Sequence, residues 1–303
     1  MNKFLRHPAA YAALTAVAAT MLTAPAMAQS EGMSHLGIPT DRVGVVGHTF
    51  REQIGTDPRG TLQAVADCGI ENIEFSGSVE ALQGVAPAEL KVLVDEIGLN
   101  VPSIGVSEAD LRERLDQVIE TAKLMGASYL RTQNIGPHDP EPWTAERYAG
   151  LAMLLNEAGA ALKAEGITLA YHNHNWEFDD LGEGTSAYQL LLTETDPEAV
   201  AFELDLYWVT VVEVDPTQLF EENPGRFPLL HVKDLQWATV DGAEAPTFAT
   251  VGEGVIDFAE IFAHSEEAGT EWFLIENDRP QPDGVTATCE SLAYMTSAEP
   301  PAQ

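Results

Sequence analysis

Ile167-Thr168-Leu169-Ala170-Tyr171-His172-Asn173-His174-Asn175-Trp176-Glu177-Phe178 is a short apolar run that opens into two histidines and a carboxylate. The run from Ile167 to Ala170 has the length and composition of a buried parallel strand. Three later segments share its design: Phe202-Glu203-Leu204-Asp205, Leu229-Leu230-His231-Val232-Lys233-Asp234 and Trp272-Phe273-Leu274-Ile275-Glu276. Each is an apolar strand that delivers an imidazole or a carboxylate at its C-terminal end. Such side chains, brought in from successive strand ends, are what a divalent-metal site at the mouth of a barrel requires.

Outward from these four segments, strand and helix patterns alternate along the whole chain. Strands are expected at 43–47, 72–75, 101–104, 129–132, 168–172, 200–206, 227–232 and 272–276. Helical periodicity lies between them, including one long amphipathic helix over 108–125 that opens after Ser107, an N-cap residue. A polar loop is expected over 236–250. Eight strands alternating with helices predict an α/β fold, a (β/α)8 TIM barrel. The competing doubly wound sheet would need a glycine-rich phosphate loop after strand one, and Gly47-His48-Thr49-Phe50 lacks that fingerprint.

The first residues read differently. Lys3, Arg6 and His7 precede an apolar stretch, and Ala26-Met27-Ala28 is a small-x-small cleavage signal. Residues 1–28 are therefore expected to be a secretory signal peptide, 29–40 a linker and 41–300 the barrel domain. A transmembrane anchor is disfavoured because the apolar run is short. The expected location is periplasmic or secreted. Cys68 and Cys289 are the only cysteines, and they read as buried free thiols, a single bridge staying open in an oxidising compartment.

With 48 acidic against 15 basic side chains the formal charge is −33. Nucleic acid and anionic membranes are excluded as partners, since both require a basic face. A hydrophobic fraction of 45% with clear periodicity argues against disorder.

The polar residues at the expected strand ends are His48, Glu74, Gln133, His172, His174, Glu177, Asp205, His231, Lys233, Asp234 and Glu276. Any one of them alone could be a hydrogen-bonded residue of the barrel mouth. Together they would cost a few kcal/mol each if buried without partners, and a metal ion is the simplest shared partner.

Tyr171-His172-Asn173-His174 followed by Glu177-Phe178 resembles the YHNHxxEF signature of the sugar phosphate isomerase/epimerase family, in the xylose-isomerase-like TIM barrel superfamily. Leu204-Asp205-Leu206-Tyr207-Trp208, His231-Val232-Lys233-Asp234, the segment Val251 to Phe258 and Ile275-Glu276-Asn277-Asp278 resemble its later blocks in the right order. The resemblance implies one divalent ion, Mn²⁺, Zn²⁺, Co²⁺ or Mg²⁺, with Asp205, His231 and Glu276 on ligand positions. Many relatives carry Glu-Asn-His where this chain has His172-Asn173-His174. The strand-five ligand is then His172, with His174 next to the substrate, while Glu177 could ligate instead.

On this resemblance the chemistry is proton abstraction next to a carbonyl of a sugar or keto-sugar, through a metal-stabilised enediolate. Glu177 or His174 would be the base, and Lys233 the acid or oxyanion partner. The alternative for Lys233 is a salt bridge to Asp234 or Glu203. His48, Glu74 and Gln133 would bind substrate hydroxyls. Trp208 and Trp176 would stack on a sugar face or pack in the core. Gly252-Glu253-Gly254 carries the wrong charge for phosphate and reads as a structural turn, so a neutral carbohydrate is the expected small-molecule partner. Isomerase or epimerase, a periplasmic 3-keto-glycoside lyase or hydrolase, and a non-catalytic carbohydrate-binding barrel all remain compatible, and homo-oligomerisation stays open.

A surface this acidic is stable where counter-ions screen its self-repulsion. The melting temperature should rise as NaCl is raised from millimolar to molar. A flat or falling series would refute adaptation to salt.

Overall fold

The computed structural model describes residues 32–133, 143–182, 184–240 and 242–300. The expected signal peptide at 1–28 and a proline-rich loop expected at 136–142 lie outside them. Among the described residues the strands are β1 Val43–Val46, β2 Ile73–Ser76, β3 Ser103–Gly105, β4 Tyr129–Gln133, β5 Thr168–His172, β6 Val200–Asp205, β7 Leu229–Val232, β8 Asp234–Val240, β9 Ala243–Ala249 and β10 Trp272–Ile275. β1 to β7 and β10 close into one parallel barrel, with β1 pairing β10 across the seam. Helices fill the connections, so the expected TIM barrel is what the chain forms.

Strand composition explains the closure. β1, β6 and β7 are buried at every residue, as parallel strands covered on both faces must be. Large side chains such as Phe75, Phe202, Phe258 and Phe273 lie in the hydrophobic core. The core takes in Leu36 and Ile38 as well, so part of the stretch read as linker is packed. Helix starts are set by side-chain caps. Ser107, Thr144 and Asp283 each accept a backbone N–H, and Ser186 with Gln189 forms a reciprocal capping box.

Three local expectations need correction. The helix expected over 108–125 is two, Glu108–Glu113 and Leu115–Met125, broken where Arg114 leaves helical geometry and its guanidinium reaches Asp110 and Glu80. The loop expected over 236–250 is instead the antiparallel hairpin β8–β9. Its Ala, Glu and Pro content gives weak strand propensity, which hid the pairing. The cysteines are not free thiols. Cys68 and Cys289 form a disulfide with Cα atoms 5.6 Å apart. It joins the end of the helix Pro58–Asp67 to the helix Gly284–Thr296. No helix among the described residues is long and apolar enough to cross a membrane.

The bridge spans a sequence separation of 221 residues, so it removes much freedom from the unfolded chain. Cys68→Ser should cost about 2–4 kcal/mol and lower the melting temperature by roughly 5–10 °C. An unchanged melting curve under reducing conditions would show that the bridge contributes nothing.

Candidate metal centre and active site

Parallel register brings the four ligand-type segments together. His172 is in register with Glu203, and Asp205 with His231. Residues two apart on a strand share a face, so Glu203 and Asp205 both enter the barrel, at successive depths. Asp205 is turned by its own surroundings. Its Oδ1 accepts the N–H groups of Tyr207 (3.0 Å) and Trp208 (3.2 Å), capping the short helix Leu206–Val211. Its Oδ2 faces the barrel centre, 3.9 Å from His172 Nε2 and 4.0 Å from His231 Nδ1. Glu276, just past β10, places Oε2 2.8 Å from His231 Nδ1.

Asp205, His231 and Glu276 thus offer one donor atom each within 4.8 Å of one another, all three buried. This is the set the resemblance implied, and His172 stands at its edge. Two carboxylates and two imidazoles suit a borderline divalent ion. The structure adds a sign that the centre attracts cations. Lys233 Nζ lies 2.9 Å from Asp205 Oδ2, 2.9 Å from Glu276 Oε2 and 3.2 Å from Asp278 Oδ1. The salt bridges considered for Lys233, to Asp234 or Glu203, are not the ones it makes. Asp234 instead accepts N–H groups from Gly252 (2.9 Å) and Gly254 (2.8 Å), filling the turn that a phosphate would need. A Cβ at Gly254 would lie 2.2 Å from Asp234 Oδ1, so that turn admits no side chain.

The centre opens into a cavity of about 460 Å³, within the usual range for small-molecule sites. His48, Gln133, His172, His174, Trp176, Trp208, His231, Lys233 and Glu276 line it, as expected. Gln83, Arg131 and Asp278 line it too, and none of them was assigned a role from sequence. Glu74 does not reach the cavity. It is wholly buried, 2.6 Å from Arg131 Nε and 3.3 Å from His231 Nε2, so it binds protein rather than substrate hydroxyls. Gly105 leaves room for the arginine, since a Cβ there would lie 2.8 Å from Arg131 Cζ.

Glu177 is also absent from the wall. Its Oε1 accepts from Tyr171 Oη and its Oε2 from the His174 N–H, each at 2.8 Å. It folds the turn that presents His174 and is placed neither as a base nor as a ligand. His174 stacks on Trp176 with ring centroids 4.2 Å apart, and its Nδ1 has no hydrogen-bond partner among the described residues.

Burial dominates the titration of these groups. It holds His172 well below its ordinary value and His174 down at about 3, with nearby cationic groups adding to both, so both imidazoles stay neutral. It pushes Asp205 up to about 6 and Glu177 up to about 7. Burial opposes ionisation of Glu74 as well, but Arg131 wins and holds it near 2. Glu203 is pushed up to about 7 by burial and by the charge of Glu74. His231 goes the other way. Burial lowers it, but Glu203 and Glu276 on its two nitrogens raise it well above the ordinary imidazole value.

Comparison with known proteins extends the picture. Residues 62–297 match the family described as "Xylose isomerase-like TIM barrel". Inosose dehydratase from Lacticaseibacillus casei is 26% identical over 156 residues, 46% of this chain and 50% of that protein. The chain therefore spans about half the length of the curated relatives it matches. A sugar phosphate isomerase/epimerase from Parabacteroides distasonis superposes with a TM-score of 0.71 at 24% identity, covering 84% of this chain and 93% of the other. A xylose isomerase-like TIM barrel protein from Mycobacterium smegmatis, in complex with magnesium, gives 0.64 at 16% identity, covering 85% and 97%. At such identities the likeness to these structures is one of fold.

Glu177→Ala removes an acceptor of the Tyr171 hydroxyl and takes the acceptor from the His174 N–H, and should cost about 1–3 kcal/mol. The folded-state pKa of Glu177, about 7, lies above its ordinary 4.5. Its proton-linked stability is therefore full at low pH and lost as pH rises toward 7. Denaturant midpoints should show a larger penalty for the substitution at pH 5 than at pH 8. Equal midpoints for variant and wild type at both pH values would show that Glu177 holds nothing.

Proposed function

Since this chain belongs to the xylose isomerase-like TIM barrel family, we propose that it is an exported, divalent-metal-dependent isomerase or epimerase of an uncharged sugar or keto-sugar. The observation that carries this reading is the convergence of Asp205, His231 and Glu276, with His172 beside them, where His172, His231 and Glu276 also line the cavity. When bound, the ion would supply Lewis-acid polarisation of a carbonyl and a counter-charge for the enediolate.

The rest is done by the chain's own side chains. His172, Asp205, His231 and Glu276 would hold the ion. His174 is the base: its neutral ring lines the cavity, and Nε2, the ring nitrogen that is not the buried Nδ1, is the one to accept a proton from the carbon next to the carbonyl. Lys233 is held cationic by Asp205, Glu276 and Asp278, and its Nζ can donate to the oxygen on which charge develops. Gln133 and His48 offer hydrogen bonds to hydroxyls. Trp208 and Trp176 give flat apolar walls for a sugar ring. Return of the proton from His174 to the neighbouring carbon gives isomerisation, whereas epimerisation requires a second proton donor on the opposite face of the enediolate.

Two observations support an uncharged substrate. Asp234 occupies the turn amides at Gly252 and Gly254, while Arg131 is matched by Glu74 and Glu203, and Lys233 by Asp205, Glu276 and Asp278, so neither cation on the wall is left without a carboxylate for a phosphate to replace. Export is supported by the leader-like sequence of residues 1–28 and by the Cys68–Cys289 disulfide. A second reading keeps the site and changes the outcome: elimination or hydrolysis of a 3-keto-glycoside, in which the same proton removal expels a group from the β-position. The relative named for a dehydration favours it.

Metal analysis of the purified protein should find one divalent ion per chain, removed by chelator together with turnover of keto-sugars or 3-keto-glycosides. Asp205→Ala should lose both. His174→Asn should keep the metal and lose solvent-deuterium exchange by about 10²–10⁴-fold. Full activity in Asp205→Ala would sink the mechanism, and retained exchange in His174→Asn would remove its base.

A further inference from the structure

One carboxylate oxygen serves two histidines. Glu203 Oε2 is hydrogen-bonded to His172 Nδ1 at 2.9 Å and lies 3.0 Å from His231 Nε2, which also has a hydrogen bond to Glu74 Oε1 at 3.3 Å. These are opposite positions on the two rings. The nitrogen left facing the centre is therefore Nε2 for His172, 3.9 Å from Asp205 Oδ2, but Nδ1 for His231, 2.8 Å from Glu276 Oε2. Register produces this asymmetry. Glu203 sits beside His172 across β5 and β6, and it lies two residues before Asp205, whose cross-strand partner is His231. The oxygen is itself anchored, since Arg131 Nε lies 3.4 Å away. Glu203 is wholly buried and does not line the cavity, so it cannot touch a substrate.

We infer that Glu203 is the positioning residue of the metal centre, fixing through one oxygen the ring orientation and proton placement of His172 and, together with Glu74, those of His231. The inference rests on the metal reading above and goes one layer deeper. A hydrogen bond at the far nitrogen decides which nitrogen keeps its lone pair for the ion. By this criterion His172 is built as a ligand. His174 has no acceptor on its buried Nδ1, so no such hydrogen bond marks it as a ligand. His172 creates the need, because an imidazole ligand must be held in one tautomer and a carboxylate need not.

The test is Mn²⁺ titration calorimetry on the full protein and two variants. Glu203→Leu removes the acceptor and should weaken Mn²⁺ binding about 10–100-fold. Glu203→Gln keeps an oxygen at the same place and should recover most of the affinity. Nitrogen-15 NMR of the Zn²⁺-loaded wild type, with rings assigned through His172→Asn and His231→Asn, should show coordination through Nε2 of His172 and Nδ1 of His231. A structural role alone would move the melting temperature and neither of these readouts. Wild-type affinity in Glu203→Leu, or coordination through the opposite nitrogens, overturns the inference while leaving the metal site standing. A wild type that binds no divalent ion overturns both. If the leucine variant does not fold, the coordinating nitrogens in the wild type still decide.

Discussion

The centre of this barrel is governed by the repulsion among its own carboxylates. Glu74, Glu203, Asp205, Glu276 and Asp278 meet around two fixed cations, Arg131 and Lys233. Buried carboxylates without counter-charge cost several kcal/mol each, so they must be shared among cations or take up protons. Both happen here. Arg131 holds Glu74 ionised while Glu203 and Asp205 titrate high. The inner pair is settled by the arginine. The outer group shares Lys233 and is short of positive charge, the condition in which a divalent ion is most strongly bound. Strand register enforces the arrangement, because a slip of one residue would turn the strand-borne Glu74, Arg131, Glu203 and Asp205 out of the barrel.

Much of this could be read from the chain, and the parts that could not have physical reasons. The alternation of strands and helices gave the fold, and strand-end position gave Asp205, His231, Glu276 and His172. Glu74 and Glu177 were misplaced because a strand end marks only the layer a residue occupies. It does not say whether the carboxylate turns to solvent or to a neighbour such as Arg131 or Tyr171. Arg131 and Glu203 were missed although a signal existed. Each stands two residues before a residue already singled out, Gln133 or Asp205, and so points to the same face. The hairpin β8–β9 was hidden by its Ala and Pro content, and the disulfide because two distant cysteines carry no spacing information.

The chain's charge has opposite effects at different depths. Outside, −33 is a matter of solvation and screening. Inside, the same excess of acid becomes chemistry, because burial removes the water that would otherwise mask it. Phosphate is disfavoured in both places. The turn at Gly252 to Gly254, whose amides could cradle an anion, is already occupied by the protein's own Asp234.

The bond between Cys68 and Cys289 ties the helix Pro58–Asp67 to the helix Gly284–Thr296, next to the seam where β1 meets β10. Every barrel strand except β1 lies within the enclosed stretch, and so does the exposed hairpin. A protease that cuts once anywhere inside it leaves two fragments still fastened together. The severed halves remain at high mutual concentration and can stay folded around the same centre. One nick in this stretch is then survivable, and loss of the barrel requires a second cut or a reductant.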